Sequence, residues 1–180
     1  MKKVSIDSIF SIQNENEFEQ LALDVFRFQA RNCKIYADFL KNLNIDPAQV
    51  FSVQEIPFLP VEFFKNHSIV SKQVQEQIIF SSSGTTGLAQ SKHFVTDLSI
   101  YERSFKDAFE LAYGKIQDFA ILALLPSYLE REGSSLIYMI DAFIRESRYK
   151  QSGYFLHNYT ELHETLSDLQ RRKIPTLLIG

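Results

Sequence analysis

Mostly apolar side chains in the first part of the chain recur largely at three- and four-residue intervals, at Phe18, Leu21, Val25, Phe28 or Gln29, Tyr36, Phe39 and Leu43, with one wider gap before Tyr36. That period predicts an amphipathic helical segment, with Asn16 placed to cap its start. Asn44 to Pro47 breaks the pattern. Pro57 and Pro60 then force an extended path, and Pro60 suits the first turn of a short helix over Val61 to Lys65. From about Ser71 the period changes. Ile78-Ile79-Phe80 reads as a strand, Ser81 to Gly87 as a polar bend, and Lys92 to Thr96 as the returning strand of a hairpin-like unit. Thr96 or Asp97 can cap a helix from about Leu98 to Ala112 that ends near Gly114. Phe119 to Leu125 is a continuous apolar run closed by Pro126, the pattern of a strand buried on both faces. A helix at about Ser134 to Ser147, a short strand at Tyr154 to Leu156, a helix at about Thr160 to Arg172 and a last strand at Thr176 to Ile179 complete the chain.

The order β-α-β-α-β from Phe119 predicts an open, mainly parallel sheet with right-handed crossovers and flanking helices. The fold class expected is therefore α/β, with an N-terminal helical segment (residues 1–70) followed by an α/β region (71–180). The sequence stops directly after its last strand. A buried parallel strand wants neighbours on both sides, so a chain truncated there is the expectation.

Charge removes some functions from consideration. The net charge is −3 and the pI about 5.8, which gives no electrostatic case for nucleic acid. The one basic run, Arg171-Arg172-Lys173, falls where a helix should end, and cations are favoured there. The single cysteine, Cys33, rules out a disulfide within the chain and fits a reducing cytoplasm. Its place in an apolar helical pattern marks it as a packed core thiol. No apolar leader follows Met1, and the run from Phe119 to Pro126 is too short to span a bilayer. Sixteen Phe and no Trp suggest an apolar interior, and could also wall an apolar pocket.

The segment most able to carry chemistry is Ser81 to Gly87, where five hydroxyl residues and two glycines fill seven positions. Glycine brings backbone N–H groups close to an anion, successive N–H groups form a nest for phosphate oxygens, and hydroxyls add donors that can turn. There is no Lys after the second glycine, so this is not a Walker A loop, and the spacing is not that of a dinucleotide fingerprint. On residue chemistry alone it suits either a polyphosphate grip or a Ser-rich turn between two strands.

Ser82-Ser83-Gly84-Thr85-Thr86-Gly87 resembles the phosphate-binding signature of adenylate-forming enzymes, Ser/Thr-x-Ser-Gly-Thr-Thr-Gly. Two more segments resemble the LuxE-type acyl-protein synthetases within that group: Ile56-Pro57-Phe58-Leu59-Pro60-Val61-Glu62-Phe63-Phe64-Lys65, and Leu125-Pro126-Ser127-Tyr128-Leu129-Glu130-Arg131 followed by Gly133-Ser134-Ser135-Leu136. The matching stretches span roughly Val53 to Met139. The resemblance implies that ATP, with Mg²⁺, and a small-molecule carboxylic acid, with a fatty acid as one candidate given the abundance of Phe, give an acyl-adenylate. The acyl group then passes to a thiol acceptor, either coenzyme A or a protein cysteine. Ser82, Ser83, Gly84, Thr85, Thr86 and Gly87 would hold the ATP phosphates.

The chain also departs from the pattern. Where many acyl-CoA synthetases carry a Lys soon after the loop, this sequence has Leu88-Ala89-Gln90, and the nearest cation is Lys92. The family's later adenine and metal motif and its C-terminal catalytic Lys are not found, so the chain reads as an N-terminal half, inactive by itself, whose partner is the rest of the same protein. Cys33 does not match the family's acyl-accepting cysteine. Two alternatives stand beside this reading: a phenylacetate-type coenzyme A ligase, and a non-catalytic α/β module that binds a phosphorylated ligand.

Tyr128, Glu130 and Arg131 follow the carboxyl end of the apolar strand, where open α/β sheets bind ligands, and are substrate-pocket candidates. Ser134 joins them, or simply caps the next helix. His93 is read as a structural histidine beside the loop. His67, His157 and His163 are scattered, and apart from the loose pair His157 and His163 none has metal-ligand spacing on a common face, so no structural zinc or other metal site is expected from protein residues.

Overall fold

The computed structural model describes residues 5–71, 74–82, 90–126 and 132–180. The chain folds into two compact units, Met1–Leu98 and Ser99–Gly180.

The first unit starts with a short helix α1 (Ile6–Ile9), a long helix α2 (Glu15–Asn32) and α3 (Lys34–Asn42). The cap of α2 is Asn14, not Asn16. Its side chain accepts the Glu17 N–H, and Glu17 in return accepts from the Gln13 N–H and the Asn14 side chain. This arrangement satisfies the Glu17 N–H, one of the donors the first helical turn leaves open, and ties the residues before the helix to its first turn. The apolar stripe runs on past a break. Cys33 takes an extended conformation (φ −106°, ψ 105°) that ends α2 and starts α3. Leu23, Phe26, Ala30, Cys33, Tyr36, Leu40 and Val50 form one buried cluster, so Cys33 is a core thiol as its context indicates. After a short 3₁₀ turn at Val53–Glu55 the segment 56–60 has no helix or strand, and a turn at 61–62 leads into α4 (Phe63–Asn66). Tyr36 Oη donates to the Pro57 carbonyl (2.8 Å) and ties this segment to α3. Strands β1 (Ile78–Ser81) and β2 (Lys92–Val95) then pair antiparallel, with Ile78 opposite Val95 and Ser81 opposite Lys92.

The second unit contains α5 (Leu98–Tyr113, entering from the first unit at Leu98), β3 (Ala120–Ala123), α6 (Ser135–Glu146), β4 (Gly153–Tyr154), α7 (Tyr159–Arg171) and β5 (Thr176–Ile179). Gly114, at φ 91°, ends α5 in the left-handed conformation that favours glycine. The three strands are parallel in the order β4-β3-β5. The apolar run is thus the central strand. Ile121 and Ala123 pack with Phe105 and Phe109 of α5 and Ile140 and Phe143 of α6. Ala120 and Leu122 pack on the other face with Leu162 and Leu169 of α7. Helices on both faces are what successive right-handed crossovers in opposite directions require. The chain is therefore an α/β protein with a mainly parallel sheet, as its hydrophobic pattern indicates. At the end of α7, Asp168 binds Arg171 and Arg172, and these hydrogen bonds hold its carboxyl below the usual range. The basic run there is a helix terminus.

Candidate functional site

The Ser/Thr/Gly segment hangs from the β1–β2 hairpin. Ile78-Ile79-Phe80 supplies β-branched and aromatic residues suited to a strand, and the ladder ends at Ser81–Lys92. Two further hydrogen bonds clasp the neck. Ser82 N–H donates to the Ser91 carbonyl (3.0 Å), and Ser91 N–H donates to Ser82 Oγ (3.1 Å). Ser82 Oγ keeps its own hydrogen for a further bond. Ser83, Gly84, Thr85, Thr86 and Gly87 lie outside the described residues. The hairpin sets the two ends of their loop side by side.

Lys92 is exposed at the mouth of this neck, paired in register with Ser81. His93, one residue on, points to the opposite face by strand alternation. Its ring stacks on Phe64 of α4 at 6.0 Å between centroids. That packing gives His93 a structural place, in line with its reading from sequence.

In the second unit the carboxyl ends of the three strands meet at Ala123, Tyr154 and Ile179. Tyr128, Glu130 and Arg131 lie outside the described residues. Ser134 is the N-cap of α6, where its Oγ accepts the Ile137 N–H (3.4 Å). Three tyrosines that the sequence reading did not single out gather polar bonds in this unit. Tyr101 Oη donates to the Ser135 carbonyl (2.9 Å), Tyr138 Oη to Glu102 Oε1 (2.5 Å) and Tyr154 Oη to Asp141 Oδ1 (3.4 Å). Burial, followed by the Asp141 carboxylate, pushes the Tyr154 phenol up to about 12. Asp141 is also paired with Arg145 (2.9 Å). No sequence motif marks these residues, because they come together only through α5, α6 and β4.

Among the described residues, no group of three or more His, Cys, Asp or Glu is placed to hold a metal ion, and no helix is long and apolar enough to cross a membrane. A hydroxyl- and amide-rich loop fits phosphate oxygens, and Mg²⁺ commonly reaches such sites through substrate phosphates and one or two carboxylates. At the described neck the Ser82 and Ser91 N–H groups are bonded across the hairpin, so the donors it offers an anion are the Ser82 hydroxyl hydrogen and the exposed Lys92.

No curated protein and no solved structure gives a significant match to the chain. A family model does match, described as "Acyl-protein synthetase, LuxE", over residues 8–115. The match covers more than half of the chain, including the apolar segment at 56–65, the clasped hairpin with its whole loop, and α5. It stops before the stretch at 125–136 that the sequence reading set beside the same family. On the strength of that match, this chain belongs to the LuxE family of acyl-protein synthetases.

Proposed function

We propose that the protein activates a carboxylic acid with ATP, and that the loop held between Ser82 and Ser91 grips the phosphate tail of the nucleotide. The observation that carries this reading is the clasped neck, which sits inside the family match and holds Ser82 and Ser91, on either side of the hydroxyl-rich segment, opposite each other on one hairpin. A carboxylate is a poor nucleophile and is repelled by a polyphosphate. Donors that stand ready as charge develops on the leaving pyrophosphate lower that barrier without reorganising. In this reading Ser83, Gly84, Thr85, Thr86 and Gly87 supply those donors. Ser82 holds the neck with its oxygen and keeps a hydroxyl hydrogen to give. Lys92 stands at the mouth as an exposed cation. Mg²⁺ bound to the phosphates would neutralise part of their charge. The acyl group of the adenylate then passes to a thiol, with a protein cysteine preferred over coenzyme A on family grounds. Tyr128, Glu130, Arg131 and Ser134 are proposed to contribute to the acid's surroundings.

The test is acid-dependent ATP–pyrophosphate exchange by the full-length protein over a panel of carboxylic acids. Thr85→Ala is expected to lower exchange by on the order of a hundredfold, the typical cost of one such donor. No exchange with any acid, or exchange indifferent to changes at Thr85 and Gly87, would contradict the proposal. Mass spectrometry of the products separates an acylated protein from acyl-coenzyme A.

A further inference from the structure

Among the described residues, β1 and β2 form a sheet of two strands with four residues each. Two short strands alone are marginally stable in water, and packing against a helix is one way to hold them. A loop whose position matters therefore needs its hairpin fastened near the neck.

One face of the hairpin provides for this. Strand alternation puts Ile78 and Phe80 on the same face as His93 and Val95, the residues paired opposite them. Phe80 and Val95 are buried there, at 6% and 8% exposure. The Phe80–His93 pair is the end of that face nearest the loop, and His93 lies two residues from Ser91, which closes the neck. The His93 ring stacks on Phe64 of α4 with an angle of 28° between the planes.

The short helix α4 is anchored on another side as well. Phe63 meets Phe39 edge-on at 5.8 Å, Phe39 stacks with Tyr36 at 6.3 Å, and Tyr36 meets Phe26 edge-on at 6.1 Å. Phe26 and Tyr36 belong to the buried cluster of α2 and α3. Successive residues of a helix point in different directions. Phe63 thus reaches the helical core while Phe64 reaches the hairpin. Both α4 and β2 lie within the span of the family match.

We infer that His93 is a positioning residue for the loop. Its stack on Phe64 fastens the neck at Ser82 and Ser91 to α4 and, through Phe63, to the core of α2 and α3. The role asks for a flat ring and not for a proton. What the fastening does for a nucleotide rests on the phosphate-grip proposal. The fastening itself does not.

The experiment compares His93→Ala, Phe64→Ala, the double variant and His93→Phe with the unmodified chain. His93 is exposed and Phe64 half-buried, so truncating either spares the buried clusters. Hydrogen exchange of the Ser82 and Ser91 amides, which bond across the neck, reads the fastening. Each alanine variant should speed exchange there about fivefold, the ordinary worth of one aromatic pair. The double variant should be no faster than either single one, because each removes the same contact. His93→Phe should exchange like the unmodified chain. Affinity for inorganic tripolyphosphate, by calorimetry, should follow the same order, with a loss of about fivefold in the alanine variants and none in His93→Phe.

Neck amides that exchange alike in every variant would overturn the inference. So would a double variant whose effect is the sum of the two single ones. His93→Phe as impaired as His93→Ala would overturn it by giving the imidazole itself a part in binding. Faster neck exchange with unmoved tripolyphosphate affinity would also overturn it, reducing the stack to a structural contact. An unmodified chain that binds no tripolyphosphate, with neck amides that still respond in the stated order, would remove the phosphate reading and leave the fastening standing.

Discussion

The two units use their apolar residues differently. In the second, every residue of β3 is 0% exposed, and α5, α6 and α7 cover both faces. In the first, the core cluster along α2 and α3 is buried but nowhere wholly closed, and Phe18 (52% exposed) and Phe58 (77%) stand open beside a cavity. A closed core fixes a scaffold, because close-packed interiors leave nothing for a ligand to replace. Apolar wall left open costs folding stability, and that cost can be recovered only when something fills the space. The hairpin with its polar loop grows from this second kind of region, so the first unit pairs an apolar recess with a polar loop.

The sharpest way to break the comparison is to truncate one branched apolar side chain to alanine in each place and compare the cost per carbon removed, three for Ile and two for Val. Ile140→Ala, at 0% exposure between α6 and β3, should cost about 3–4 kcal/mol in urea unfolding, the transfer loss plus a cavity. Val25→Ala should cost less than about 1 kcal/mol, because its side chain already borders empty space. Equal costs per carbon would mean that the first unit's wall is packed as tightly as the sheet.

A smaller effect is expected at the hydrogen bond that holds one side of the recess. Tyr36→Phe removes the donor to the Pro57 carbonyl and should cost about 1 kcal/mol by the same unfolding measurement.

The mildest test is alkaline pH. Burial pushes the Tyr36 phenol up to about 12, and the Tyr154 phenol stands at about 12 as well. Both are raised above the ordinary tyrosine value, so the unfolded chain releases these protons first. Their contribution is whole below about pH 10 and declines as pH rises toward about 12. Unfolding free energy should therefore fall through that window. Tyr36→Phe should flatten the part of the fall that belongs to the first unit. A stability that rises from pH 10 to 12 would reverse the assigned sign.

Much of this architecture was legible in the sequence because local pattern and tertiary need agree. The run from Phe119 to Leu125 has no polar face to offer solvent, and it became the central parallel strand. Gly114 falls where a left-handed residue ends α5. The hairpin around the Ser/Thr/Gly segment was likewise readable from two short apolar strands and a polar bend. The break at Cys33 was not, since Ala30, Cys33, Tyr36 and Leu40 keep three- and four-residue spacing straight through it. One extended residue leaves no mark on that period. The start of α2 was misplaced by two residues because Asn14 and Asn16 are chemically equivalent caps, and only the Glu17 carboxylate's return bonds decide between them. The recess was hinted at only by the abundance of Phe. Its walls come from α2, the extended segment, α4 and β2, residues that no short motif can join. The paired tyrosines of the second unit were hidden for the same reason.

The claim at the centre is that the segment clasped by Ser82 and Ser91 is shaped to hold a phosphate chain. It is tested most directly by titrating the chain with inorganic tripolyphosphate and following backbone amide signals by nuclear magnetic resonance. The expected result is saturable shifts concentrated at residues 82–91, abolished by Gly84→Val and weakened by Ser82→Ala. Shifts spread over the surface without saturation, or an unmoved set of signals at 82–91, would contradict it.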